Sequence, residues 1–154
     1  MKDVLVIVPC GQAKIWDRQP ARGPVPACDA YTGAPFKVNR RYAEHFAERW
    51  VILSAKYGFI PPDYEIPGPY NVTFKKKSTN PINVQVLQEQ ILAQGLHRFE
   101  TIIGLGGIDY RARITDAFSQ WPLEIHYPFA GLRLGVSMRT INKAIERYSP
   151  NPTL

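Results

Sequence analysis

Cysteine is scarce: Cys10 and Cys28 are the only two in 154 residues. Two thiols cannot build a disulfide framework in a chain of this size, and both are expected to be free. Histidine is almost as rare. His45, His97 and His126 lie far apart, and no C-x-x-C or H-x-x-x-H pair occurs, so neither a dedicated metal site nor a cofactor is expected. Long apolar runs are missing too. Val4-Leu5-Val6-Ile7-Val8 gives only five apolar residues before Pro9, short of the about 7–15 of a secretory segment and the about 20 of a membrane span. A cytoplasmic protein with no membrane partner is expected. No repeat, low-complexity tract or linker interrupts the sequence, which implies one domain over residues 1–150 and a short tail over 151–154.

Positive charge and proline are in excess. Lysine and arginine number 19 against 13 acidic residues, a formal charge of +6, which favours a polyanionic partner without bearing on the fold. The 14 prolines cluster in connections, so these are expected to be stiff.

Strand and helix patterns alternate along the chain. Val4–Val8 is a continuous apolar run of the kind buried on both faces of a sheet. A proline-rich loop to about Tyr31 precedes a helix over about 35–47, in which Phe36, Tyr42, Ala43 and Phe46 share a face. Trp50–Leu53 is the second strand, and a second long loop runs from Lys56 to about Asn80. Asn80-Pro81 has the form of a helix start, and Gly95 that of its stop. Thr101–Leu105 is the third strand, a helix follows near 110–118, Leu123–Tyr127 is a fourth short strand, and a last helix covers about 134–148. The result is an α/β fold: a single three-layer domain with a mostly parallel sheet of about four or more strands and helices on both faces.

Ligands of such sheets bind outside the carboxyl ends of the strands, which directs attention to three connections. In Pro9-Cys10-Gly11-Gln12-Ala13-Lys14, Lys14 is a candidate anion contact or amine and Cys10 a candidate nucleophile. Before the first helix, Asp29 or Thr32 can act as a cap, while Tyr31 and Thr32 also stand at a helix N-terminus able to receive an anion. After the second strand, Lys56 and Tyr57 suit phosphate and base, and Tyr70 follows. Asp63, with Glu65 behind it, can supply a carboxylate for acid–base work. In Gly104-Leu105-Gly106-Gly107-Ile108-Asp109-Tyr110 the third position of a dinucleotide fingerprint is Asp109 rather than glycine, so that motif fails. Gly106 and Gly107 can still let backbone approach a ligand, with Tyr110 beside them and Asp109 as a second candidate acid. Lys75, Lys76, Lys77, Arg111, Arg113, Arg133, Arg139 and Lys143 supply the positive excess. Beside tyrosines and Phe74 they have the composition of a nucleic-acid surface.

Tyr31-Thr32-Gly33, then Leu53-Ser54-x-x-Tyr57-Gly58 with Pro62 and Pro69-Tyr70, resembles the peroxide-stress YaaA family of DNA-associated proteins. Asp109-Tyr110 and Ala130-Gly131-Leu132 before a basic last helix are similar in order and spacing, as in a compact branch of that group. Pro9-Cys10-x-x-x-Lys14 is similar to the P-C-x-x-x-K element of archaeosine synthase, which modifies a deazaguanine base in tRNA. The resemblance implies an α/β domain that meets nucleic acid, DNA ahead of RNA, and acts on a base or its glycosidic bond. Lys14, Asp63, Asp109 and Cys10 are then the candidate catalytic residues. Two alternatives stay open: a non-catalytic DNA- or RNA-binding protein of oxidative stress, and an enzyme of free nucleotides or bases.

Overall fold

The structure is a computed structural model that describes residues 3–148; the expected tail lies outside them. All six residues of the first strand, β1 (Val4–Pro9), are buried, which requires cover on both faces. Val4, Val6 and Val8 point to one side and Leu5 and Ile7 to the other, the period-two alternation of a strand.

The connection after β1 is tied down along its length. A 3₁₀ turn over Ile15–Asp17 buries Trp16, whose indole Nε1 donates to the Arg22 carbonyl at 2.9 Å. The connection then forms β2 (Val25–Pro26) and the single turn α1 (Ala27–Ala30). Helix α2 (Ala34–Phe46) leads to β3 (Arg49–Ser54). The second long connection contains β4 (Gly58–Ile60) and β5 (Glu65–Ile66). Then come α3 (Val84–Gln94), β6 (Thr101–Gly104), α4 (Ile108–Phe118), β7 (Ile125–His126) and α5 (Leu134–Tyr148).

The main sheet has the order β4-β3-β1-β6-β7, with β4 alone antiparallel to its neighbour. Helices α2 and α5 cover the valine side of β1 through Phe36, Tyr42, Ile141 and Ile145. On the other side, α3 and α4 press Leu87, Ile91, Ile114 and Phe118 against Leu5 and Ile7. Each fully buried aliphatic or aromatic side chain is worth about 1.5–3 kcal/mol, so these two layers fix the sheet between them. The fold is the expected three-layer α/β domain. From β1 the chain passes over α2 to β3 on one flank, while β6 takes the other flank. The strand order therefore reverses between β1 and β6, and their carboxyl ends open a crevice there.

Four local expectations need correction. The segment 58–60 is a strand rather than loop, because Gly58 at φ +78° lets the chain turn back on β3. Glu65–Ile66 also leaves the loop state, pairing antiparallel with Val25–Pro26. The third helix starts at Val84: Asn83, whose side chain accepts from the Val86 N–H, is its cap, and Asn80 adopts a left-handed conformation at φ 56°. Gly95 ends that helix at φ 68°, as expected of a C′ glycine. The last strand shrinks to Ile125–His126.

Candidate functional site

The two long connections are stitched together at the carboxyl end of the sheet. Strands β2 and β5 pair, Ala27 N–H donates to the Tyr64 carbonyl at 2.8 Å, and Cys28 N–H to Pro62 at 2.9 Å. Lys14 forms a backbone bridge to Tyr31, and Thr32 N–H reaches the Ala13 carbonyl at 3.1 Å. These backbone bonds set Lys14, Tyr31, Ser54, Tyr57 and Tyr70 around one point.

At that point Tyr70 is central. Its hydroxyl lies 2.9 Å from Ser54 Oγ and 2.5 Å from the Tyr31 hydroxyl. Ser54 Oγ already accepts from the backbone N–H groups of Lys56 and Tyr57. Its own proton is thus directed to Tyr70, and Tyr70 in turn donates to Tyr31. Burial raises the phenols of Tyr31 and Tyr70 well above the ordinary tyrosine value, and the nearby Cys10 adds to this. Both rings are neutral donors at physiological pH.

Lys14 is only 7% exposed, which is unusual for a lysine. Its Nζ donates to the Gln12 carbonyl at 3.1 Å and stands 4.5 Å from the centre of the Tyr70 ring. Desolvation lowers its pKa below the ordinary 10.5, with Cys10 and Asp17 opposing the shift. Lys56 Nζ lies 5.7 Å from the same ring and 5.3 Å from that of Tyr57, and Tyr57 meets Tyr70 edge-on at 5.4 Å. Lys14 and Tyr70 open onto a cleft of about 580 Å³, also lined by Gln12, Asp17, Pro69 and Asn71.

Cys10 lies between this group and the β1/β6 crevice. The Tyr110 hydroxyl of α4 and Cys10 Sγ share a hydrogen bond at 3.1 Å, which joins the segment after β1 to the helix after β6. Burial and Cys10 push the Tyr110 phenol up. Across the crevice the turn Gly104–Gly107 lines a second cleft of about 390 Å³, together with Arg111 and Arg133. Gly106, at φ +114°, lies so close to Pro9 that a Cβ would stand 3.0 Å from the proline ring.

The sequence-derived candidates therefore divide. Lys14, Cys10, Tyr31, Lys56, Tyr57, Tyr70 and Tyr110 converge, while Gly106, Gly107, Arg111 and Arg133 belong to the neighbouring cleft. Asp63 does not join them: it is exposed on the link between β4 and β5. Asp109 is half-buried in the first turn of α4, where it acts on Tyr110 only electrostatically. Neither Thr32 nor Asp29 caps α2, whose N-cap is Gly33; Thr32 is exposed, and Asp29 faces Arg40 at 3.6 Å.

The basic surface is split between the two sheet faces. Lys75, Lys76 and Lys77 are exposed on a loop held by Phe74, which packs edge-on against Tyr110. Arg139 and Lys143 are exposed on α5, across the sheet.

Two residues of the site escaped the sequence reading. Asp17 Oδ2 accepts from the Lys14 backbone N–H at 2.9 Å, and its i+3 spacing resembles a capping box. Ser54 stood inside a motif already noted, and a serine followed by a turn readily takes the next N–H groups. Among the described residues no group of three or more histidine, cysteine or acidic side chains could hold a metal ion. Both cysteines are free, and no helix there is long and apolar enough to cross a membrane.

No solved structure matches this chain. Over 143 residues it is 37% identical to the uncharacterized protein YfjM of Bacillus subtilis (strain 168), covering 92% of this chain and 95% of that protein. Residues 5–143 match a family of unknown function, DUF6884, and the chain belongs to that family.

Proposed function

We propose that this protein binds nucleic acid, DNA ahead of RNA, and acts on a nucleobase or its N-glycosidic bond, with an unpaired base entering the cleft beside Lys14. The observation that carries the reading is the buried Lys14 amine, held over the Tyr70 ring at the mouth of a cleft of about 580 Å³. A base in a duplex is reached only when flipped out. The Tyr70 ring then offers stacking, and the exposed Lys75, Lys76 and Lys77 offer attraction to phosphates elsewhere on the surface. The likeness of Pro9-Cys10-x-x-x-Lys14 to the synthase element, and of the tyrosine motifs to the YaaA family, supports the same direction.

Burial favours the neutral amine of Lys14, the form that attacks carbon. In this scheme Nζ bonds to the anomeric carbon as the carbon–nitrogen bond to the base breaks. The base departs with that electron pair and is protonated by water, and Nζ releases its proton to water. Asp17, at the cleft, stabilises the positive charge that develops on the sugar. The neutral phenol of Tyr70 forms part of the wall, held in place by the Tyr31 hydroxyl behind it.

The test is base release from oligonucleotides carrying damaged or modified bases, followed by mass spectrometry, for the wild type and Lys14→Ala. Release that falls by at least about 10²-fold in the variant, at unchanged fold, supports the assignment. Salt-dependent retention of DNA without product on any substrate indicates a binder instead, and stabilisation by nucleotides but not oligonucleotides indicates an enzyme of free nucleotides.

A further inference from the structure

The crevice between β1 and β6 contains a cleft that the chemistry at Lys14 does not use. We propose that it is a binding site for a phosphate group, borne by a nucleic-acid backbone or a free nucleotide.

Four independent features meet there. The cleft, about 390 Å³, lies outside the carboxyl end of β6, where the strand order reverses and where ligands of open sheets are received. Its lining contains Arg111 and Arg133 and no acidic residue. Arg111 Nε is enclosed and has no hydrogen-bond partner, and Arg133 is exposed. Among the described residues neither guanidinium is in an ion pair, since Arg40 alone forms them.

The backbone is arranged to the same end. Two long helices begin at the cleft. In α4 the first intrahelical bond runs from Arg111 N–H to the Gly107 carbonyl, and in α5 from Ser137 N–H to Arg133. The N–H groups of each preceding turn thus lack intrahelical partners, and Gly107 provides no side-chain cap. A Cβ placed on Gly107 would meet nothing within 4 Å, so a ligand can approach that backbone closely.

An apolar collar narrows the ligand class. Ile108 is 72% and Leu134 61% exposed, large apolar side chains with no cover, and both line this cleft beside Phe129 and Met138. Arginines and helix N-termini suit the anion; the collar suits a flat apolar body attached to it. A nucleoside phosphate unit combines the two. Asp109, in the first turn of α4, is not part of the lining.

The site is independent of turnover, so it is tested by binding. The full chain is titrated with inorganic phosphate, a nucleoside monophosphate, the matching nucleoside and an unmodified single-stranded oligonucleotide, read by thermal shift and calorimetry. The monophosphate or the oligonucleotide is expected to bind and the nucleoside not. Arg133→Glu, at an exposed position, and Arg111→Gln are each expected to weaken binding at least about tenfold. Lys14→Ala is expected to leave monophosphate affinity unchanged. Preference for the oligonucleotide, with a salt slope about one unit smaller in Arg133→Gln, identifies the backbone as the source; preference for the monophosphate identifies a free nucleotide. Failure of every phosphate-bearing probe overturns the proposal, as does binding that survives in both arginine variants. Loss of monophosphate binding in Lys14→Ala would assign the phosphate to the other cleft.

Discussion

Lys14 Nζ lies 4.5 Å from the centre of the Tyr70 ring, and the two residues come from the separate connections after β1 and after β3. The ring's face attracts the cation, while its hydroxyl is fixed by Ser54 and Tyr31. The lysine is thereby buried without a carboxylate ion partner among the described residues, and the balance between its charged and neutral forms becomes sensitive to whatever enters the cleft.

Removing that amine tests whether it belongs to function or to stability. Lys14→Met keeps the stem and deletes a desolvated charge, so the melting temperature is expected to hold or rise, by about 2–4 °C per kcal/mol gained. Activity is expected to vanish. A loss of stability together with unchanged turnover would make Lys14 a structural residue.

The pH profile of stability has a definite sign. The folded-state pKa of Lys14 lies below 10.5, so between that lowered value and 10.5 the unfolded chain binds more protons, and stability rises with pH. Tyr31, Tyr70 and Tyr110 act in reverse: their folded values lie above the ordinary 10.0. The stability they confer is full below about pH 10 and lost as pH climbs through their folded values. Denaturant midpoints are expected to increase from the lowered Lys14 value upward and to drop above about pH 10, where the unfolded tyrosines ionise, and Lys14→Met should abolish the increase alone. A profile identical in both proteins would refute the burial of Lys14.

Tyr70→Phe deletes one hydroxyl and two hydrogen bonds. Tyr31, only 2% exposed, then loses its phenolic partner, and a cost of about 1–3 kcal/mol follows from the unsatisfied buried group. Urea unfolding measures it. A cost below about 0.5 kcal/mol would mean that the tyrosine chain is not formed.

Gly58→Ala probes the strand that the sequence hid. A Cβ there would stand 2.2 Å from Gln90 Oε1, the atom that accepts from the Phe59 N–H, while Gln90 Nε2 holds the Tyr57 carbonyl. The left-handed backbone adds strain. A destabilisation above about 2 kcal/mol is expected, with Tyr57 released from its place; a neutral effect would contradict the β3–β4 pairing.

The two loop carboxylates differ in their distance from the site. Asp17→Asn is expected to lower turnover and Asp63→Asn to leave it unchanged in the same base-release assay, since only Asp17 lines the Lys14 cleft. The opposite ranking would return the acid role to Asp63.

What the sequence made legible follows from which residues leave local signals. Val4–Val8 announces a doubly covered strand by composition alone, and the strand-end rule then gathers Lys14, Tyr57 and Tyr70. Gly58–Ile60 is too short to show a period and exists because it pairs with β3. Asparagines at 80 and 83 carry the same cap signal for α3, and the backbone conformation decides between them. Asp63 and Asp17 are both acids in loops. Only the pairing of β2 with β5 and the 3₁₀ turn after Lys14 reveal which one faces the cleft.

Covalent trapping addresses the role of Lys14 most directly. The protein is incubated with an oligonucleotide whose modified base it releases, borohydride is added to reduce an imine formed on the opened sugar, and tryptic peptides are sequenced by mass spectrometry. The account predicts a sugar adduct on Lys14, absent from Lys14→Ala. An adduct on another lysine, or base release that proceeds undiminished in Lys14→Ala, would contradict it.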